Sequence, residues 1–346
     1  MIDLVSRSVV QRLGNSENGS IAFTPDRTRA YVCEPGSQRD IVTVYNLAAN
    51  PISVAATLPT SGGVRYRPEI SRDGTRMYVP VHDGIDVFDV LPSSPTYHQR
   101  LGKFPTPITG NRNTIFTGPL DCAISPDGTT LLIAYGQNLA WPAPSAVGAV
   151  DQVSPGNPYR SIPVTTGGDF LGMATRQSIA FSPDGALAFT VEYAVQPGFP
   201  FSRGFAQGGL LNVIDVASGS EIMAIPTQGI SQQNLAVDRL GRNLWIAQAG
   251  YLSGQAELLR VDIDRRSSTR FSITARIILD QVPFSVNTGA VGVSPSPDGN
   301  TVCVTLAEDN AHPTPVLVTV DARTNQVVGS PIMVESLPGT VSVPQW

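Results

Sequence analysis

The chain has 346 residues, 41% hydrophobic, 15% charged and 7% aromatic, and its 28 acidic and 23 basic side chains leave a formal charge of -5. A chain of this length buries about 75% of the surface its unfolded form exposes, so it needs no disulfide or metal staple, and no apolar run approaches the roughly 18 to 20 residues that span a bilayer. With a pI near 5.2 and no basic cluster, the electrostatic attraction behind nonspecific nucleic-acid binding is missing, which excludes that class of partner.

Gly 32 and Pro 29 together exceed the average share of these residues while charged residues fall below it, a composition of many turns and few solvated helix faces. Cys33, Cys122 and Cys303 are odd in number and far apart, and read as small core residues. Lys103 is the single lysine, in a loop-like GKFPTP stretch without a Walker pattern, which disfavours phosphate-binding and Schiff-base roles. Met1 to Gly14 lacks the charged-then-apolar layout of a signal peptide.

Taken in chain order, the first run, IDLVSRSVVQRL, aligns with IDVASGSEIMAI at 214–225 and is predicted as the outer hairpin of a repeat unit. Then come SIAFTPDRTRAYV, PEISRDGTRMYV, DCAISPDGTTLLI, QSIAFSPDGALAFT, NLAVDRLGRNLWI and VSPSPDGNTVCV, with turns beginning near Thr24, Ser71, Ser125, Ser182, Val237 and Ser296, 47 to 59 residues apart. Each is an alternating apolar run, a Ser-Pro-Asp-Gly turn or a relative, and a second run rich in Val, Leu, Tyr and Ala. This is the pattern of two strands joined tightly: proline presets φ, the aspartate bonds the backbone ahead of it, and glycine takes positive φ.

The turn aspartates Asp26, Asp73, Asp127, Asp184 and Asp298 are therefore read as structural. Two further runs complete each unit, as in LLNVIDVASGSEIMAIPT and VLVTVDARTNQVVGSPIMV. Phe271, Ile273, Ala275 and Ile277 alternate at strand spacing, and no amphipathic helix is predicted anywhere.

Four-stranded antiparallel units too small to bury their own faces predict radial stacking, a β-propeller forming one domain over 1–346. A seventh innermost strand is expected at Gly339 to Val343 (GTVSV), parallel to Gly289 to Val293 (GAVGV). The sequence thus predicts an all-β, seven-bladed ring, closed by a blade shared between the N and C termini and left incomplete.

The SPDG turn, the following Tyr31-Val32-Cys33-Glu34 and Tyr78-Val79-Pro80-Val81 segments and a later VID segment resemble the YVTN family of β-propeller repeat proteins, over essentially all 346 residues. Leu131 to Tyr135 and Leu244 to Gln248 replace the tyrosine-valine pair, and the fifth turn is DRLG. The resemblance implies a seven-bladed ring, periplasmic or at the cell surface, with lactonase-like, redox-subunit or adhesive relatives. None of those activities follows from a motif made of turn and core positions.

Strand order predicts that the loops entering the innermost strands and the longer second-to-third-strand loops share one face, the default binding surface. Arg65, Arg67 and Glu69, Asp121, Arg176 and Gln177, and Gln233 and Asn234 are placed near its channel mouth, with His82, Glu192 and Glu308 after second strands. They would supply donors and acceptors for a small anion or polar ligand, the arginines fixing a carboxylate or phosphate; the alternative is a channel that simply satisfies the ends of converging strands. His82, His98 and His312 lack metal-ligand spacing, and the HExxH, GxSxG, GxGxxG, CxxC and EF-hand patterns are missing.

The insertion VEYAVQPGFPFSRGFAQGG carries Tyr193, Phe199, Phe201, Arg203 and Phe205, residue types favoured at protein and carbohydrate interfaces. The sequence therefore predicts a monomeric, noncatalytic scaffold that binds a protein or glycan through its loop face and carries no cofactor. The first alternative is a lactonase-like hydrolase whose channel mouth could use a divalent metal on Glu69, Asp121, Glu192 or Glu308. The second is a propeller subunit of a redox assembly whose cofactor belongs to its partner.

Overall fold

The computed structural model describes residues 1–13, 20–33, 41–64, 67–106, 118–136, 146–151, 153, 159–165, 174–194, 209–250, 255–279, 290–306 and 315–334. A two-stranded ribbon comes first, β1 (Ile2–Asp3) with β2 (Ser8–Val9). Blade 1 follows with β3 (Ser20–Phe23), β4 (Arg29–Cys33), β5 (Ile41–Asn46) and β6 (Ser53–Pro59), and blade 2 with β7 (Glu69–Ile70), β8 (Arg76–Val81), β9 (Gly84–Asp89) and β10 (Arg100–Pro105). Blade 3 holds β11 (Gly118–Ile124), β12 (Thr130–Gly136), β13 (Ala146–Asp151) and β14 (Tyr159–Pro163). Blade 4 holds β15 (Ala174–Phe181), β16 (Leu187–Ala194), β17 (Leu210–Asp215) and β18 (Ser220–Pro226). Blade 5 holds β19 (Gly229–Val237), β20 (Asn243–Gly250), β21 (Ala256–Asp262) and β22 (Ile273–Ile278). In blade 6, β23 (Ala290–Pro295), β24 (Thr301–Leu306) and β25 (Val316–Asp321) are followed by a broken outer strand, β26 (Gln326–Val327) and β27 (Ile332–Met333), both paired to β25.

The chain is a β-propeller of antiparallel four-stranded blades in sequential order, and the described residues form six of them, not seven. The expected seventh inner strand, Gly339 to Val343, lies outside the described residues. The N-terminal run does make the expected strand pair, but its strands bond to each other and to no blade, so no described blade is shared between the termini. Lys103 is likewise in a strand, β10, its ammonium 2.6 Å from Asp83, rather than in a loop. Phe271 belongs to the turn before β22, at φ 66.

Blades adhere because each strand pair buries apolar side chains on both faces. One buried cluster fills each of five successive seams. Ala22, Tyr31 and Val44 meet Ile70, Met77 and Phe88, and Tyr78, Ile85 and Phe104 meet Cys122, Leu131 and Ile133. Leu132 and Ile162 meet Ile179 and Phe181, Phe189 and Leu211 meet Leu235 and Ile246, and Trp245 and Leu258 meet Val304 and Val318. Cys33, Cys122 and Cys303 form no disulfide and are buried in this core, as the sequence implied.

The far face of blade 6 is covered differently. Ile2 of the ribbon packs on Cys303, Leu317 and Ile332. Arg7 reaches the break in the outer strand, donating to the Ser330 carbonyl and, at 3.1 Å, to Thr319 Oγ1. Gly329 leaves the room, since a Cβ there would stand 2.8 Å from the Arg7 Cζ. On the other side Gln11 exchanges two bonds with Ile52 of blade 1, at 2.8 and 3.1 Å. The ribbon is therefore a clasp from blade 6 to blade 1.

The inner turns repeat to within a tenth of an ångström. The Thr24, Ser71, Ser125 and Ser182 hydroxyls each donate at 2.6 Å to the aspartate two residues on, and Ser296 does so at 2.5 Å. The aspartate in turn accepts the amide two residues further, at 3.0 Å in all five. In the DRLG turn Asp238 takes both roles, its two oxygens accepting the Arg242 and Asn243 amides at 2.9 Å. Asp26, Asp127, Asp184 and Asp298 are held below the usual carboxylate range chiefly by the bonds they accept.

Turns also touch their neighbours. A Cβ on Gly74, Gly185 or Gly241 would meet Pro25, Pro126 or Pro183 of the preceding blade at 3.1 to 3.2 Å. Gly128 and Gly299 face nothing within 4 Å, because the preceding blades carry Arg72 and Arg239 in the proline's place.

Arg7→Ala removes the clasp's bonds to blade 6 and is expected to lower stability by about 1–2 kcal/mol. Hydrogen exchange of residues 1–13 should rise more than that of blade 3, and equal change in both would contradict the clasp.

Candidate functional site

Four residues before the first residue of each inner turn stand Ser20, Arg67, Asp121, Ser178, Asn234 and Gly292, all but Arg67 within the inner strand. In blades 3 to 6 a register shift immediately precedes this position, displacing Leu120, Gln177, Gln233 and Val291. Such a bulge re-aims the next side chain out of its own ladder. Asp121 and Ser178 thereby point into the seam with the following blade.

The result is a relay across consecutive seams. Asp121 Oδ2 accepts from the Ile179 amide at 3.1 Å and from Ser178 Oγ at 3.2 Å, while Ser178 Oγ accepts the Leu235 amide at 3.4 Å. Asp121 Oδ1 accepts the amide of Cys122 at 3.0 Å. From blade 2, Arg67 Nη2 approaches Asp121 Oδ2 at 3.7 Å, with a quarter of its side chain exposed against 4% for the aspartate.

Blade 2 departs from the repeat at three adjacent positions. Arg67 is a donor where Asp121 and Ser178 accept, so it cannot receive the Cys122 amide, which turns to Asp121 instead. Pro68 has no N–H, and Ser20 Oγ of blade 1, buried at 1% exposure, finds no hydrogen-bond partner. Glu69 stands where other blades hold Ala22, Ala123, Ala180, Ala236 or Ser294.

Burial and charge act together here. Burial pushes the Glu69 carboxyl up to about 7, Arg67 pulling it down and Asp121 reinforcing the rise. Asp121 is also raised by burial, against the pull of Arg67 and its three hydrogen bonds. Asp121 raises the Arg67 guanidinium, and burial lifts the Cys122 thiol well above its ordinary value, leaving it unreactive.

The structure thus brings Arg67, Glu69 and Asp121 together and adds Ser178, which the sequence reading overlooked. Its signal was available: Ser178 precedes Ser182 by the same interval that separates Asp121 from Ser125. Asn234 occupies the equivalent buried place in β19. Gln177 and Gln233 are the bulged residues, and Arg176 lies opposite Glu192 in the β15–β16 register; their side chains are outside the described ones.

His82 sits at the β8–β9 turn, its amide donating to the Gly63 carbonyl. Tyr193 lies in β16, paired with Thr175, so the strand continues into what the sequence placed in a loop. Arg65, Glu308, Phe199, Phe201, Arg203 and Phe205 lie outside the described residues. Among the described residues no three His, Cys, Asp or Glu side chains are grouped to hold a metal.

Asp121→Ala leaves Arg67 and the Ile179 amide without their acceptor and is expected to cost about 3–5 kcal/mol. Ser178→Ala orphans only the Leu235 amide and should cost about 1–3 kcal/mol. Denaturant titration checks the order; the same small loss in both would refute the relay.

No family model matches the chain, and no curated protein matches it in sequence. Solved structures do match in shape. The β-propeller domain of Cps50 (Swd1) from Myceliophteria thermophila aligns with TM-score 0.67 at 13% identity, covering 96% of this chain and 92% of that one. Hydrazine synthase of Kuenenia stuttgartiensis aligns with TM-score 0.66 at 15% identity, covering 97% and 93%. At such identities the likeness establishes the β-propeller fold and carries no function with it.

Proposed function

We propose that the chain is a noncatalytic scaffold that holds a protein partner on the face bearing its second-to-third-strand connections. The observation that supports this most is how Asp121 is used. Its Oδ2 is taken up by Ile179, Ser178 and Arg67 and its Oδ1 by Cys122, so this buried carboxylate of the candidate mouth joins blades instead of facing a ligand.

The two faces of the ring also differ in kind. First-to-second-strand turns occupy 24–28, 71–75, 125–129, 182–186, 238–242 and 296–300, all of one length and closed by the same hydrogen bonds. The opposite connections span 34–40, 82–83, 137–145, 195–209, 251–255 and 307–315. Variation in length on one face of a regular frame is how repeat folds acquire binding specificity. The 195–209 connection, with Phe199, Phe201, Arg203 and Phe205, has the composition of a protein-binding surface.

A lactonase-like hydrolase is the second reading, favoured by one observation. Glu69, held at about 7 beside Arg67, has the proton affinity of a general acid or base working near neutrality.

A photoactivatable residue at position 203, compared with one at position 127 on the turn face, tests the scaffold in extracts of the native host. Discrete protein adducts from 203 and none from 127 are expected. Adducts from neither or equally from both, glycan-array binding lost in Arg203→Ala, or lactone turnover abolished by Glu69→Gln would each overturn it.

A further inference from the structure

One residue before the end of the inner strand, the other five blades keep a small side chain, Ala22, Ala123, Ala180, Ala236 or Ser294. Ala22 packs with Ile70 and Met77 across one seam, and Ala123 with Ile179 and Phe181 across another. In blade 2 this place belongs to Glu69, opposite Tyr78 in the β7–β8 register. The groups acting on its carboxyl are Arg67 of its own blade and Asp121 across the seam, with Cys122 and Tyr78 beside them. Arg76 and Asp73, which act on Tyr78, lie toward the turn end of the blade.

The same seam lacks two devices found elsewhere in the ring. Blades 3 to 4 and 4 to 5 are tied by an amide donating to the preceding blade's side chain, Ile179 to Asp121 and Leu235 to Ser178. Arg67 cannot play that part for the Cys122 amide. At the turn end Gly128 meets no proline, because blade 2 carries Arg72 there. The seam between blades 2 and 3 therefore rests on its apolar cluster and on how its charges balance.

We propose that this seam is a proton-operated latch, closed while Glu69 is a neutral carboxylic acid and loosened when Glu69 loses its proton. In the closed state Arg67 faces one carboxylate, Asp121, and the charges cancel. Ionisation of Glu69 puts a second carboxylate on the same guanidinium, the single cation acting on it among the described residues. Separation of the two blades then admits the water that a half-buried carboxylate requires.

The titration of Glu69 near 7 puts this change close to neutrality, and its sign is fixed. A carboxyl whose folded-state value is raised binds its proton more tightly in the closed form than in the open one. Raising the pH from the ordinary carboxyl range to about 7 therefore favours opening progressively, and the full effect is present above it. The Tyr78 phenol, pushed up to about 12, and the buried Cys122 thiol remain neutral throughout and add no charge.

Hydrogen exchange at about pH 5.5 and about pH 8.5, corrected for the intrinsic rate, tests the latch on the wild type, Glu69→Gln and Glu69→Ala. Alanine is the residue at this place in four other blades, so the second variant keeps a side chain the fold accepts. In the wild type, opening of Glu69–Ile70 and Leu120–Ile124 should rise on the order of tenfold at the higher pH. The two variants should lose that rise, and Leu235 to Val237 should not respond in any of the three. An equal pH response in wild type and variants, or a response spread evenly over all seams, would overturn the proposal.

Discussion

The Ile179 amide donates to the Asp121 carboxylate across a boundary between two separate sheets, and the Leu235 amide donates to Ser178 across the next. A four-stranded blade satisfies its backbone internally except at its two edges, and its two faces stay apolar until another blade covers them. Apolar packing joins blades without direction. A hydrogen bond from an inner-strand amide to the preceding blade's side chain adds direction, because it is made only when both inner strands stand at one height. The bulges before Asp121 and Ser178 supply the geometry, turning one side chain from its own ladder toward its neighbour.

The inner turns fix the other end of each seam. A hydroxyl donating to an aspartate, itself accepting an amide, closes the loop at the same length in five blades, and in the turns that precede those of blades 2, 4 and 5 the proline stands beside the next turn's glycine. The DRLG turn shows what the constraint is. Its carboxylate sits two residues earlier, yet Asp238 reproduces the acceptor positions that hydroxyl and aspartate share elsewhere. Chemistry at a point in space is retained while the residue supplying it changes.

Most of this architecture was legible in the sequence because turn residues and period-two alternation are local signals, and six copies reinforce one another. The number of blades was less legible. Ile2 to Leu13 carries a real strand-pair pattern, but pattern alone does not say whether a pair joins a blade or stands apart, and here Arg7 and Gln11 decide it through contacts with Ser330 and Ile52, residues far away in the chain. At the candidate site Arg67, Glu69 and Asp121 stood out as charges within apolar strands. Ser178 did not, since a serine before an apolar run is unremarkable until the seam shows what it bonds.

Blade 2 shows how a repeat can depart from itself without losing the ring. Arg67, Pro68 and Glu69 replace an acceptor, an amide donor and a methyl in one stretch, and each change removes something that a neighbouring blade would use. The ring tolerates them because the apolar clusters on both sides of blade 2 remain continuous, from Tyr31 and Met77 on one face to Ile85 and Leu131 on the other. Orientation there passes from amide bonds to an arginine between two carboxyls. An amide keeps its proton across the ordinary pH range and a carboxyl does not, so this exchange of one tie for another makes a seam in blade 2's neighbourhood answer to solution conditions in a way that the seams held by Ile179 and Leu235 do not.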